Sequence, residues 1–131
     1  MAPWVALGVP ETDAWGRRFT YRVTLMFSDA PVVGTLSSFV LTDNGDMTVT
    51  NGATNIATQI PAVIVSHGKN GLGAFQSDGT QIAGAAGDEL QNANNNTTFV
   101  FRSNAPDFDD LVSWVSANVL KTRMVAANRL P

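Results

Sequence analysis

At 131 residues, 44% hydrophobic and 15% charged, the chain is long enough to bury a core and suits one compact domain over residues 1–131. Eight basic residues against eleven acidic ones give a net charge of -3, which offers no broad cationic field, so nucleic acid is not an expected partner. Cysteine is absent, which excludes disulfides, thiolate catalysis and Cys-ligated zinc; no run reaches the ~20 apolar residues of a membrane span, so the chain reads as soluble.

In chain order, MAPWVALGVPET mixes proline, glycine and short apolar steps without a helical period, and reads as an extended lead-in. From Arg18 the pattern changes: Phe19, Tyr21, Val23 and Leu25 alternate with Arg18, Thr20, Arg22 and Thr24, the period of a half-buried strand with Tyr21 on its inward face. SDAPVVG punctuates the chain, and LSSFVLT then runs to Asp43-Asn44-Gly45-Asp46. Asn-Gly is the dipeptide of a tight type I′ turn, so SSFVLT and DMTVT are expected to pair as an antiparallel hairpin.

IPAVIVS is a short continuous apolar run bounded by turn signals, the mark of a central strand buried on both faces. Residues 68–96 shift to glycine, alanine, asparagine, aspartate and glutamine, and read as a long polar surface loop inserted between strands. TTFVFR returns to strand character. After the acidic SNAPDFDD, LVSWVS reads as a strand, and Asn118 as the N-cap of a short helix VLKTRMVAA that packs through Val119, Met124 and Val125.

"SHGKNG", residues 66–71, holds the only histidine. Adjacent residues leaving a strand point to opposite faces, so Ser66 and His67 are badly placed as a nucleophile pair, and no Gly-x-Ser-x-Gly elbow is present. GKNGLG lacks the spacing of a phosphate loop. No catalytic residue is expected, and the stretch reads as a turn. Asp43, Asn44 and Asp46 read as turn residues. Asp107, Asp109 and Asp110 are the densest acidic cluster and would suit a hard cation, with a solvated acidic loop as the plainer reading. Trp4, Trp15 and Trp114 read as core.

Several of these stretches carry a resemblance. DAWGRRFTYRV resembles the Asp-Pro-Trp-Gly and Tyr-x-Tyr of type II secretion pseudopilins and related type IV pilin-like proteins, and FDDLVSW is similar to their Asp-Asp-Ile-x-x-Trp. VSHGKNG sits where those proteins have a strand ending in a Ser-x-Gly-x-Asp-Gly loop, and RMVAANRLP resembles the C-terminus of some bacterial prepilin-type proteins.

The resemblance implies an α+β pilin-like head, with an antiparallel sheet, a short C-terminal helix and no N-terminal spine helix in this chain. It implies a structural subunit, a minor pilin or pseudopilin of a type IV pilus or type II secretion filament, that works by assembly without catalysis. Its partners would be other pilin or pseudopilin subunits, and the inner membrane through a helix ahead of Met1, at the periplasmic face or in an extracellular filament. The prepilin signal is missing, so Met1 is expected to begin a shortened chain.

The resemblance also implies calcium ligands, carried over to Asp107 or Asp109 and to Asn70. Asparagine stands where the family has a carboxylate, and some thirty residues separate the two halves, so no cofactor is expected. The alternative is a secreted domain that recognises a carbohydrate or surface ligand through the asparagine-rich loop and the tryptophans.

Overall fold

The computed structural model describes residues 4–31 and 33–130; residues 1–3 of the lead-in, Val32 and Pro131 lie outside them. The chain is α+β: the described residues form two three-stranded sheets, three α-helices and a short 3-10 turn at Leu25–Phe27. The first sheet is antiparallel, with β1 (Thr20–Val23), β4 (Ala62–Ser66) and β6 (Leu111–Val115) in the order β1-β4-β6. The second runs β3 (Asn55–Ile60), β2 (Met47–Thr50), β5 (Thr98–Val100), and its β2–β5 pairing is parallel, which departs from the all-antiparallel sheet expected. Helices α1 (Trp4–Leu7), α2 (Gly87–Ala93) and α3 (Ala117–Ala126) flank them. No helix among the described residues is long and apolar enough to cross a membrane.

One core joins the sheets. Met47, Val49, Ile60 and Phe99 from the second meet Val63, Val65 and Val112 from the first. The chain changes sheets at buried Pro61, between β3 and β4, where Gln59 takes a φ of 56°. Thr24 locks this corner: its amide donates to Pro61 O at 2.8 Å and its hydroxyl to Asp46 Oδ1 at 2.6 Å.

The hairpin expected at Asn44-Gly45 does not form. Residues 36–42 make no strand, and Gly45 lies against the Ile60–Pro61 backbone so closely that a Cβ would overlap it. The hairpin closes instead at Asn51-Gly52, joining β2 to β3, where Asn51 Oδ1 accepts from the amides of Ala53 and Thr54 and Gly52 takes a φ of 94°. An asparagine that bonds the backbone two and three residues on holds a turn by itself.

β4 is central in its sheet, as its apolar run requires, yet only one face is covered: Val63 and Val65 are buried while Ile64 is exposed. Directly opposed residues share a face. Tyr21, Ile64 and Ser113 therefore lie together on the side away from Val63, Val65 and Val112. This corrects the inward face expected for Tyr21, which is half-buried on the uncovered side.

Other expectations are revised. The lead-in contains the single helical turn of α1. Helix α3 begins two residues earlier than expected: its N-cap is Ser116 and not Asn118, and the Ser116 hydroxyl accepts from Val119 N at 3.3 Å. Val119 and Val125 are exposed, and the buried residue of α3 is Lys121. Trp15 is exposed, while Trp114 packs against the core and meets Phe101 edge-on at 5.4 Å. Residues 68–96 are no plain surface loop: they hold α2 and bury Gly71, Gly73, Ala74, Glu89 and Asn92.

Candidate functional site

Three stretches far apart in sequence meet at the end of β4. Asp13 organises the first: its Oδ1 accepts from the amides of Trp15 and Arg17, and its Oδ2 accepts from Ser66 Oγ at 2.6 Å. Arg17 then donates Nη1 to the carbonyls of Gly68 and Lys69, both at 2.9 Å, so the DAWGR turn clamps the SHGKNG loop. His67 is fully buried and faces other partners, with Nε2 at 2.8 Å from Thr20 Oγ1 and Nδ1 at 3.5 Å from Asp110 Oδ1. Ser66 and His67 thus engage different neighbours.

The acidic stretch enters through Phe108. A tight turn ties Ala105 and Phe108 by mutual backbone bonds of 2.8 and 3.0 Å, and the buried Phe108 ring lies 4.4 Å from the Arg102 guanidinium carbon. That anchor delivers Asp109 and Asp110 to the start of β6. Gly68, at φ 58°, comes so close to Asp109 that any side chain would overlap the aspartate's backbone and carboxylate.

Asn70 and Asp109 are brought together: Asn70 N donates to Asp109 Oδ2 at 2.8 Å. Asp107 is not part of this group. It is 77% exposed on its side chain and pairs with Arg102 at 2.9 Å. Arg102 also holds Asp88 at 2.7 Å; partial burial works against its charge, and the two carboxylates override this and raise its pKa.

The residue that sequence reasoning missed is Glu89. It is 3% exposed, and its Oε1 accepts from Asn70 Nδ2 at 2.7 Å and from Asp109 N at 3.3 Å. Glu89, Asp109 and Asp110 each offer an oxygen, all within 4.8 Å of one another. The available signal was slight: Glu89 is one of only two glutamates in the chain, in the one part of the polar loop that carries a run of helix formers.

These residues fit a hard divalent cation. Asp109 Oδ1 is buried without a hydrogen-bond partner, Asp110 Oδ1 has no partner closer than His67 Nδ1 at 3.5 Å, and three clustered carboxylates repel one another unless positive charge or protons offset them. An all-oxygen set suits calcium or magnesium rather than a softer metal. Asn70 is bonded to Glu89, which brings a carboxylate of α2 beside Asp109 and Asp110.

On the other side of the first sheet lies an open trough of about 1370 Å³. Its floor includes Tyr21, Ile64 and Ser113; Phe75, Ile82 and Leu90 stand around it. Residues 73–82 fold into a small hairpin, with Gly73 N on Ile82 O at 2.8 Å, and dock on β1's approach through Arg18 N on Phe75 O at 2.8 Å. Compared with known proteins, the chain matches no family model, no curated sequence and no solved structure.

Proposed function

We propose that the chain is the pilin-like head of a filament subunit, a minor pilin or pseudopilin of a type IV pilus or type II secretion machine, working by assembly and without turnover. The observation that supports this best is the unmatched face of β4. Its continuous apolar run is that of a strand covered on both sides, whereas only the Val63–Val65 side meets the core. An apolar helix supplied ahead of Met1 would lie over Tyr21 and Ile64 and complete the burial, since a sheet face of this kind needs a second layer.

Under this reading Glu89, Asp109 and Asp110 hold a divalent cation, calcium being the natural occupant of a flexible oxygen set. The cation would pin the SHGKNG loop, α2 and the start of β6 together. Asn70 keeps its place in the set as a donor to Glu89 and Asp109, and Asp107 leaves it for Arg102.

Ile64→Asp tests the assembly reading. Ile64 sits on the open face, so the isolated chain should keep its melting temperature to within a few degrees, as exposed sites usually do. Incorporation of the complete protein into filaments should be abolished. Filaments that accept the variant at the wild-type level would sink the reading, as would a plain secretion signal upstream of Met1 in place of a prepilin-peptidase signal and an apolar helix.

A second reading has its own observation. The trough also shows Trp4, Gln81, Asn94 and Asn95, and an aromatic face beside amide groups is the chemistry of carbohydrate recognition. Saturable binding of a soluble glycan by the isolated chain, lost on Phe75→Ala, would favour it over assembly.

A further inference from the structure

Four strand edges bound the two sheets, and three of them are closed. Beside β5, Asn92 Nδ2 donates to Val100 O at 3.0 Å, Val100 N donates to Asn92 Oδ1 at 2.7 Å and Gln91 Nε2 donates to Thr98 O at 3.1 Å, so α2 side chains take the place of a next strand. β3 loses register twice against β2 and takes a positive φ at Gln59; such irregularities turn an edge away from further pairing. β1 carries Arg22, with Nη1 on Asn95 O at 3.0 Å, and its approach is tied to the 73–82 hairpin through Arg18 N on Phe75 O at 2.8 Å. A charge on an edge and a loop across it both discourage further pairing. β6 has none of these devices. It pairs with β4 in unbroken register from Leu111 to Val115, and no charged side chain falls between Leu111 and Leu120. Among the described residues its backbone bonds to β4 alone, Leu111 is 58% exposed, and Ser113 two residues on is exposed as well.

We propose that β6 pairs with β6 of a second copy of this chain, antiparallel across a two-fold axis centred on Ser113, joining the first sheets of two chains into one six-stranded sheet. A regular, uncharged, open edge offers a row of backbone donors and acceptors to another strand. The sequence LVSWV fits itself in this register. Leu111 faces Val115 of the second copy, Val112 faces Trp114, and Ser113 faces Ser113. Apolar side chains thus meet apolar ones, a ring meets a β-branched side chain, and hydroxyl meets hydroxyl, each a favourable cross-strand pair. Charge points to the same occupant. Copies with a net charge of -3 repel, and β6 is an edge where two of them meet with no like charges opposed. A foreign strand would have to match both faces of LVSWV, whereas a second copy does so by symmetry. The pairing uses the edge of the sheet and leaves the Tyr21 and Ile64 face free.

Five residues a side make a small interface, so a reversible pair is expected whose share grows with concentration. Sedimentation equilibrium of the chain over a dilution series should show the mass rising from one copy to two and no further, since a two-fold contact closes on itself. Ser113→Lys sets like charges directly opposite each other and should weaken self-association more than about tenfold, as should Ser113→Glu. Mixed together, the two variants should pair at least as tightly as wild type. Ser113 is exposed, so each variant alone should melt within a few degrees of wild type. Ile64→Asp, on the central strand and away from the edge, should leave the pair intact. A wild-type chain that stays a single copy up to about 1 mM overturns the proposal, and so does a mass that climbs past two copies. Variants that lose the pair singly and do not regain it when mixed overturn the two-fold register at Ser113. Loss of the pair in Ile64→Asp would move the contact to the sheet face and overturn the edge, while the filament reading would still stand or fall on incorporation of the complete protein.

Discussion

The two long connections of the chain invert what their compositions suggest. Residues 24–46, between β1 and β2, are rich in large apolar side chains, yet Leu25 is 73% exposed, Val33 100% and Leu36 59%. Residues 67–97, between β4 and β5, are rich in glycine and asparagine, yet they bury His67, Gly71, Gly73, Ala74, Glu89 and Asn92. Tethers account for the difference. The first connection is tied to the fold at its ends, by Thr24 N on Pro61 O at 2.8 Å and Gly45 N on Gln59 O at 3.2 Å, and between them it is pinned to itself by the Phe27–Phe39 ring contact at 4.5 Å and by Ser38 Oγ on Met26 O at 2.6 Å. The second is bonded across the fold, to Asp109, Asp110, Arg17, Thr20, Arg18 and Val100. Hydrophobicity says which side chains gain from burial; long-range polar bonds decide which segment is held close enough to be buried.

The largest effect is therefore expected in the polar connection. Asn92 Nδ2 donates to Val100 O at 3.0 Å as well as to Asp110, and its Oδ1 accepts from Val100 N at 2.7 Å, so one amide side chain stands in for a neighbouring strand along β5. Asn92→Ala strands a buried amide, a carbonyl and a carboxylate oxygen, at about 1–3 kcal/mol for each group that finds no water. Thermal melting should fall by more than about 10 °C, or the chain should fail to fold. Leu36→Ser in the apolar connection should stay within about 0.5 kcal/mol of wild type. If the leucine change proved the costlier of the two, the tethering account would be wrong.

An intermediate loss is expected at the clamp between the first two motifs. Gly71 has a φ of 68°, and a Cβ there would overlap the Arg17 guanidinium, which holds Gly68 O and Lys69 O. Gly71→Ala combines a left-handed non-glycine residue with displacement of that arginine, a cost of about 2 kcal/mol. In a double-mutant cycle with Arg17→Ala the two changes should be strongly non-additive, because they break the same contact. Additive losses would show that Gly71 is required for its backbone alone.

What was legible in the sequence was whatever depends on neighbours in the chain. The alternation at 18–25 marks β1, the apolar run marks β4, and LVSWV followed by VLKTRMVAA marks β6 and α3. Asn-Gly was ambiguous because it occurs at 44–45, 51–52 and 70–71, and only at 51–52 do the flanking residues complete a hairpin. The parallel β2–β5 pairing has no local signature, since its partners lie some fifty residues apart. The link between Asn70 and Asp109 was reached through resemblance. Glu89 was not, because its place is fixed by the fold of α2 against β5 and by nothing adjacent to it.

The smallest effect is expected where a tether of the polar connection is open to water. Asp78 Oδ1 accepts from Thr80 N at 2.8 Å and from Thr80 Oγ1 at 2.7 Å, at the tip of the hairpin of residues 73–82. The Thr80 backbone bond, followed by the hydroxyl bond, holds the Asp78 pKa below its ordinary value of 3.8. A carboxyl depressed in the folded state stabilises the fold above its unfolded pKa, and that contribution is lost as pH falls through the depressed value. Thr80→Val removes the hydroxyl and keeps the backbone bond, so the Asp78 midpoint should rise only part of the way back. A carboxyl-carbon NMR titration reads this directly. Because Asp78 is fully exposed, the melting temperature near neutral pH should not move measurably. A full return to the ordinary value would assign the shift to the hydroxyl, and an unchanged midpoint would assign it to the backbone alone; either result would correct the ranking of the two bonds. A drop in melting comparable to that of Asn92→Ala would contradict the contrast between buried and open tethers on which the comparison of the two connections depends.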